Sequence, residues 1–140
     1  MVRTKIKAKF TSTPEQVWQL IISDLHAKKL ASEEEAKLPE EGEIYTVADK
    51  QGLPVTFNII ENKPYKRYVL EMDHADYNCK WLADFTAIPK DGTELVLTEI
   101  TQAKSWSGRI FSVLFTRRSQ RAYIKALYRR LNEAVPFGLY

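Results

Sequence analysis

The carboxyl-terminal part of the chain constrains its fold most, because nothing between residues 107 and 133 interrupts a helix. Apolar residues recur there at the three- and four-residue spacing of a buried stripe. At about 1.5 Å per residue, a helix of this length would span a whole domain. Short alternating segments separated by turn residues precede it. The order therefore predicts strands first and one long helix last, with the apolar stripe of that helix packed in the concavity of a sheet.

The amino-terminal part predicts a strand followed by a capped helix. Residues 4–10 alternate between an apolar side and a lysine side, which is typical of a half-buried strand. Thr13, Pro14 and Gln16 then form a capping-box pattern that starts a helix ending near residue 23 or 24. A second box predicts a short helix over 32–38.

The middle of the chain predicts an antiparallel meander. Turn formers, among them Asp91-Gly92, separate the strand-like runs, and sequential hairpins pair antiparallel. The predicted strands are residues 43–49, 54–61, 67–74, 78–88 and 93–102.

Alternation assigns an inward face to two of these strands. The predicted inward residues are Tyr68, Leu70, Met72 and His74 on one strand, and Cys79, Trp81, Ala83, Phe85 and Ala87 on the other. In 93–102 both faces are mixed, since Leu95, Leu97 and Glu99 oppose Val96 and Ile100. The sequence leaves the register of that strand open.

Composition favours one domain over residues 1–140. No apolar run approaches the ~20 residues that span a bilayer, and no secretory signal is visible at the start, so we expect no integral membrane association. The single Cys79 fits a reducing compartment, and we expect a cytoplasmic protein. A net charge of +3 is too small to predict DNA binding.

Four features of the sequence resemble those of a known superfamily, and together they cover nearly all of the chain. They are the segments Thr13-Pro14-Glu15-Gln16-Val17-Trp18, Pro64-Tyr65-Lys66-Arg67 and Asp91-Gly92-Thr93, and the final helix. The chain resembles the START-like (SRPBCC) superfamily of the polyketide cyclase/dehydrase and lipid-transport type. The resemblance implies an α+β helix-grip fold, in which six or seven curved antiparallel strands wrap around a long C-terminal helix, with one or two short helices after the first strand. The acidic stretch 32–43 departs from the short aromatic loop common in that family.

The first functional hypothesis is a cavity between the sheet and the last helix that binds an apolar or amphipathic small molecule. A fully packed core is the alternative, because large inward residues beside small ones either interdigitate or leave room. The residues predicted to line the cavity are Phe57, Tyr68, Leu70, Met72, His74, Trp81, Ala83, Phe85, Glu99, Leu114 and Arg118.

Two other hypotheses stay open. A cyclase-like or isomerase-like enzyme would use His74 or Glu99 for proton transfer, although the sequence contains no catalytic signature and predicts no cofactor. Adjacent Asp73 and His74 point to opposite faces of a strand, so we expect no metal site there. Alternatively, the chain is a protein-interaction module that resembles the members of this superfamily that activate a chaperone or associate with ribosomes. The basic face of its last helix would then dock on an acidic protein or RNA, unless that face is only a solvated surface. Its residues are Arg117, Arg121, Lys125 and Arg129.

Overall fold

The computed structural model describes residues 1–27, 40–49, 51–104 and 106–139, with the side chains of 106–117 not included. The predicted helix over 32–38 lies outside these residues. The elements are β1 (Val2–Phe10), α1 (Pro14–Leu25), β2 (Ile44–Ala48), β3 (Pro54–Lys63), β4 (Arg67–Asp73), β5 (Tyr77–Ile88), β6 (Gly92–Ala103), α2 (Trp106–Arg130) and a 3-10 turn (Phe137–Leu139).

The six strands form one antiparallel sheet in the order β1-β6-β5-β4-β3-β2. Every pair of neighbours is antiparallel, which confirms the predicted α+β class and the meander. The strand bounds differ from the predicted ones by one or two residues at most ends. No described helix is long and apolar enough to cross a membrane.

Helix α1 begins with the predicted capping box. The Gln16 backbone N–H donates to the Thr13 hydroxyl at 3.2 Å, and the Gln16 side-chain oxygen accepts from the Thr13 backbone N–H at 2.9 Å. Pro14 occupies the first turn, where its missing N–H costs nothing. Val17, Trp18, Ile21 and Ile22 form the buried face of this helix, which packs against the sheet.

The structure settles the register of β6. Leu95 and Leu97 are fully buried, so their face points inward, and Glu99 and Thr101 share that face by alternation. Cross-strand pairing then arranges the inner face in rows. We define the core rows as Leu95–Phe85 and Leu97–Ala83–Tyr68, and the site rows as Glu99–Trp81–Leu70 and Thr101–Cys79–Met72–Phe57–Tyr45.

Helix α2 is fixed to the edge strand β1 by polar bonds as well as by packing. The Tyr128 hydroxyl donates to the Lys9 carbonyl at 2.7 Å, and its ring stacks on Phe10 at 4.4 Å. These contacts hold the carboxyl-terminal part of α2 against the end of β1. Ile124 and Leu127 of the same helix are buried.

The contacts of α2 are described for residues 118–130 alone. Leu114 and Arg117, to which the sequence assigned roles, lie outside the described side chains. The prediction of a sheet that wraps a long helix along its whole length therefore stays a prediction for 106–117. Ala87, predicted to face inward, is exposed at the end of β5.

Leu97→Ala should lower the free energy of unfolding by about 2–5 kcal/mol, since it opens a cavity in a core row. Leu82→Ala, on the half-buried outer face of β5, should cost about 1 kcal/mol. Urea denaturation followed by tryptophan fluorescence measures both. Equal losses would contradict the placement of the core on the inner face.

Candidate functional site

A cleft of about 400 Å³ opens where the carboxyl end of α1 meets β2, β3 and β4. This volume is in the range of small-molecule sites. Its walls are mostly apolar, and two of them, Tyr45 and Phe57, stack face to face with ring centroids 5.1 Å apart. The lining residues are Asp24, Leu25, Ala27, Tyr45, Val47, Ala48, Asp49, Val55, Phe57, Met72 and Tyr77.

A buried histidine fixes one wall of this cleft. His26, at the end of α1, is 1 % exposed. Its Nδ1 is hydrogen-bonded to the Tyr45 hydroxyl, and its Nε2 lies 2.6 Å from the Tyr68 hydroxyl. Burial raises the pKa of both phenols, so they stay protonated at neutral pH. The cluster ties α1 to β2 and β4 and holds the Tyr45 ring in place.

A second group of polar side chains lies on the inner face, under α2. Thr4, Glu99 and Trp81 are cross-strand neighbours on β1, β6 and β5, and Gln120 and Tyr123 approach from α2. We call these five residues the inner polar cluster. Desolvation by burial raises the pKa of Glu99 to about 7, and the neighbouring Trp81 indole opposes this shift only in part.

Two hydroxyls of the inner polar cluster are unsatisfied. Neither Thr4 Oγ1 nor Tyr123 Oη, both buried, has a hydrogen-bond partner among the residues that the structure describes. A buried hydroxyl without a partner costs about 1–3 kcal/mol. Nearby, Gln120 Nε2 reaches the Thr4 carbonyl at 3.4 Å and leaves the hydroxyl alone.

His74 lies apart from these groups and is already hydrogen-bonded. Its Nε2 is 3.0 Å from Asp49 Oδ2, and its Nδ1 accepts from the Asp76 backbone N–H at 3.0 Å. The ring stacks on Tyr77 at 4.8 Å. Asp49 also caps the β2–β3 turn by accepting from the Leu53 backbone N–H, the main cause of its lowered pKa. This arrangement pins the hairpin to the end of β4.

The structure divides the predicted site residues into groups. Phe57 and Met72 line the cleft half-buried, and Trp81 and Glu99 lie in the neighbouring site row. Arg118 is exposed on α2, away from them. The remainder of the predicted set whose side chains are described, apart from His74, is buried in the packed interior: Tyr68, Leu70, Ala83 and Phe85. Trp18 packs against two of these, with ring centroids 5.6 Å from Tyr68 and 5.2 Å from Phe85.

Sequence reasoning missed His26, Tyr45 and the unsatisfied hydroxyls. The alternation in β1 predicts that Thr4 points inward, and the position of Tyr123 in the apolar stripe of α2 predicts the same for its side chain. Nothing local shows that Thr4 lies across from Glu99 in the sheet. His26 gave no signal, because its partners are 19 and 42 residues away in sequence.

The predicted basic surface is only partly described. Arg121 and Arg129 are exposed on α2, Lys125 is half-buried, and Arg117 lies outside the described side chains. Arg121 also joins Arg3 and Lys5 of β1 around a second groove of about 470 Å³. Docking of an acidic protein or RNA partner on this surface stays a prediction.

Comparisons with known proteins show the fold. No family model matches the chain, and no curated protein matches it in sequence. Among solved structures, the chain is similar to DynU16, a protein in the dynemicin biosynthetic locus, at 12% identity and a TM-score of 0.67 over 93% of this chain. It spans about half of DynU16, 47% of that chain.

Two further structures share the architecture. CalU16 from Micromonospora echinospora matches at 15% identity and a TM-score of 0.60, over 89% of this chain and 74% of that one. An HSP90 activator from Plasmodium falciparum matches at 14% identity and a TM-score of 0.52, over 71% and 72% of the two chains. These neighbours have the helix-grip fold of the polyketide cyclase type, and the six-stranded sheet described above is consistent with it.

The raised pKa of Glu99 predicts a specific pH dependence of stability. Between about pH 4.5 and pH 7 the unfolded chain loses the Glu99 proton while the folded chain keeps it, so this group makes the free energy of unfolding fall as pH rises. The loss reaches at most about 3 kcal/mol and is constant above that range.

Urea denaturation at pH 5, 6, 7 and 8 tests this expectation. Glu99→Gln should remove the decrease, whereas Glu94→Gln, on the outer face of the same strand beside Lys7, should keep it. A Glu99→Gln profile parallel to that of the wild type would contradict the burial of this carboxyl group.

Proposed function

We propose that this protein binds an apolar or amphipathic small molecule in the cleft bounded by α1, β2, β3 and β4. The proposal is based on a difference in burial between two parts of the inner face of the sheet. The core rows are packed to zero or near-zero exposure, but Tyr45, Phe57 and Met72 at the end of a site row remain half-buried around about 400 Å³ of space. A ligand that covers this apolar wall gains about 25 cal/mol of free energy for each Å² of apolar surface that it removes from water.

The walls are held in position before any ligand binds. Tyr45 is stacked on Phe57 and hydrogen-bonded to the buried His26. Asp49, which is bonded to His74 and to the Leu53 backbone N–H, fixes the β2–β3 turn, and Val47 and Val55 of the two flanking strands line the cleft. Pre-formed walls reduce the entropy lost when a ligand binds, which supports a binding role.

The neighbours add support of a general kind. One of them is encoded in the dynemicin biosynthetic locus, a setting that fits a role with small molecules. Because a fold of this kind hosts several functions, the cleft, and not the likeness, carries the proposal.

Filling the cleft should abolish binding of an apolar probe. Met72→Trp places a larger ring in the cleft and should weaken binding of the neutral fluorophore N-phenyl-1-naphthylamine at least about tenfold. Ile60→Trp, on the exposed outer side of β3, should bind like the wild type. Fluorescence titration measures both affinities. Undiminished binding by a folded Met72→Trp protein would refute the proposed site.

A second candidate function, proton transfer on a bound ligand, is favoured by Glu99. Its pKa of about 7 lets it give and take a proton near neutral pH, and it lies on the same inner face of the sheet as the cleft residue Met72, two strands away on β6. Both ring nitrogens of His74 are engaged, so Glu99 is the better base of the two predicted candidates. The step would be removal of a proton from carbon beside a ligand carbonyl and its return to carbon or oxygen.

Deuterium exchange measures this activity. The protein should accelerate exchange at the carbons next to the carbonyl of 2-tetralone in D₂O, as followed by NMR. Glu99→Gln should lose about 10²-fold or more of the acceleration, and Glu94→Gln should lose none. If the Glu99→Gln protein still binds 2-tetralone and exchanges at the wild-type rate, Glu99 is not the base.

A further inference from the structure

The second groove lies at the opposite edge of the sheet from the cleft. Its volume is about 470 Å³, and its walls come from β1, from α2 and from the 3-10 turn near the end of the chain. Since β1 and β2 are the two edge strands, and the described residues that line the groove do not line the cleft, the two spaces are separate. The groove is therefore a second site, independent of the one that carries the proposed function.

Three cationic side chains border this groove without an acidic partner. Arg3 and Lys5 come from β1, and Arg121 comes from α2. None of the three pairs with a carboxylate among the residues that the structure describes. Arg3 lies opposite Ile100 in the register. Lys5 lies opposite Thr98, so neither cation of β1 faces a carboxylate on β6.

The other lysines of β1 differ from the two that border the groove. Lys7 forms an ion pair with Glu94 at 3.5 Å, and Lys9 lies opposite the same glutamate in the register. Positive charge is thus compensated at the carboxyl end of β1 and not at its amino end. Helix α2 offers no compensation, because residues 106–130 contain no aspartate or glutamate. The undescribed side chains of 106–117 therefore cannot neutralise the groove.

The remaining acidic residues near these elements belong to other surfaces. Glu99 is the cross-strand neighbour of Thr4 and shares the inner face of the sheet, whereas the two cations of β1 are on the outer face. The acidic stretch 33–35 is joined to the described chain at Ala27, which lines the cleft, and at Glu40, which precedes β2. The described residues thus leave the groove with a net positive charge, and a groove of one charge sign attracts the opposite one.

The type and number of these cations favour a phosphate. A guanidinium group donates two parallel hydrogen bonds to an oxyanion, and an ammonium group adds a compact positive charge. A phosphate monoester carries roughly two negative charges at pH 7 and has three terminal oxygens, so that three cationic side chains can all bond to it. A carboxylate has one charge and two oxygens, and it would neutralise less of the site.

The rest of the groove fits an organic body attached to the phosphate. Its volume of about 470 Å³ lies in the range of small-molecule sites and exceeds what a bare phosphate ion fills. Ile6 and Leu139 supply half-buried apolar surface on its walls. Gln120, which is 3 % exposed, donates from Nε2 to the Thr4 carbonyl at 3.4 Å and so links the two main walls. The groove therefore offers charge and apolar surface within one bounded space.

We propose that this groove binds a phosphate monoester, with Arg3, Lys5 and Arg121 as donors to its phosphate oxygens. Ile6 and Leu139 contact the apolar part of the same molecule. The phosphate of a soluble ester and that of a phosphatidate headgroup have the same chemistry, so the experiment has to distinguish these two sources.

Calorimetric titration with phenyl phosphate, phenyl sulfate and inorganic phosphate at pH 7 tests the proposal. Phenyl phosphate should bind most tightly, because phenyl sulfate has a similar shape with one charge fewer and inorganic phosphate lacks the apolar part. Arg121→Gln should weaken the binding of phenyl phosphate at least about tenfold, and Lys5→Gln should also weaken it. Arg129→Gln removes the same charge from an exposed position two turns along α2, and it should leave the affinity within about twofold of the wild type.

Vesicles that contain phosphatidate provide the second arm. If the protein sediments with these vesicles, Arg121→Gln reduces this binding and phenyl phosphate does not bind, the phosphate belongs to a lipid headgroup. Equal affinities for phenyl phosphate and inorganic phosphate would overturn the assignment to a monoester.

Two further outcomes would overturn the site itself. Equal losses in Arg121→Gln and Arg129→Gln would show a general effect of charge and no local site. Binding of a short RNA without binding of either phosphate ester would make the groove part of a surface for macromolecules. Thermal melts of each variant confirm folding, and all three substituted side chains are exposed.

Discussion

Burial of the inner face of the sheet is the constraint on which the rest of this structure depends. Six strands in alternation produce one apolar face, and that face has to be covered. Helix α1 and residues 118–130 of α2 cover the core rows, where Leu95, Leu97 and Ala83 are fully buried. The cleft lies on the same face toward β2, where the inner residues change from packed core to half-buried wall.

Glu99 shows how the same burial generates chemistry. A carboxyl group on a mainly apolar face loses hydration, so its pKa rises toward neutrality. The hydroxyls of Thr4 and Tyr123, both buried, have no hydrogen-bond partner among the residues that the structure describes.

The polar clusters on this scaffold differ in how completely they are hydrogen-bonded. The contacts of His26 with Tyr45 and Tyr68, and of His74 with Asp49 and the Asp76 backbone N–H, occupy both nitrogens of each ring and tie separate elements together. In the inner polar cluster, by contrast, two hydroxyls have no partner within the described part of the chain. Fully satisfied networks favour rigidity of the cleft walls. The fold shared with DynU16, CalU16 and the HSP90 activator is compatible with either binding or catalysis.

The sequence alone determined the features that depend on near neighbours. The Thr13 capping box, the hairpin at Asp91-Gly92 and the inward face of β5 follow from local chemistry and a two-residue period. Tertiary structure decided the features that depend on distant partners. Both faces of β6 are mixed, so only pairing with β1 and β5 placed Glu99 inside. Tyr68 and Phe57 are both inward aromatics, and only the reach of the covering helices makes one of them core and the other a cleft wall.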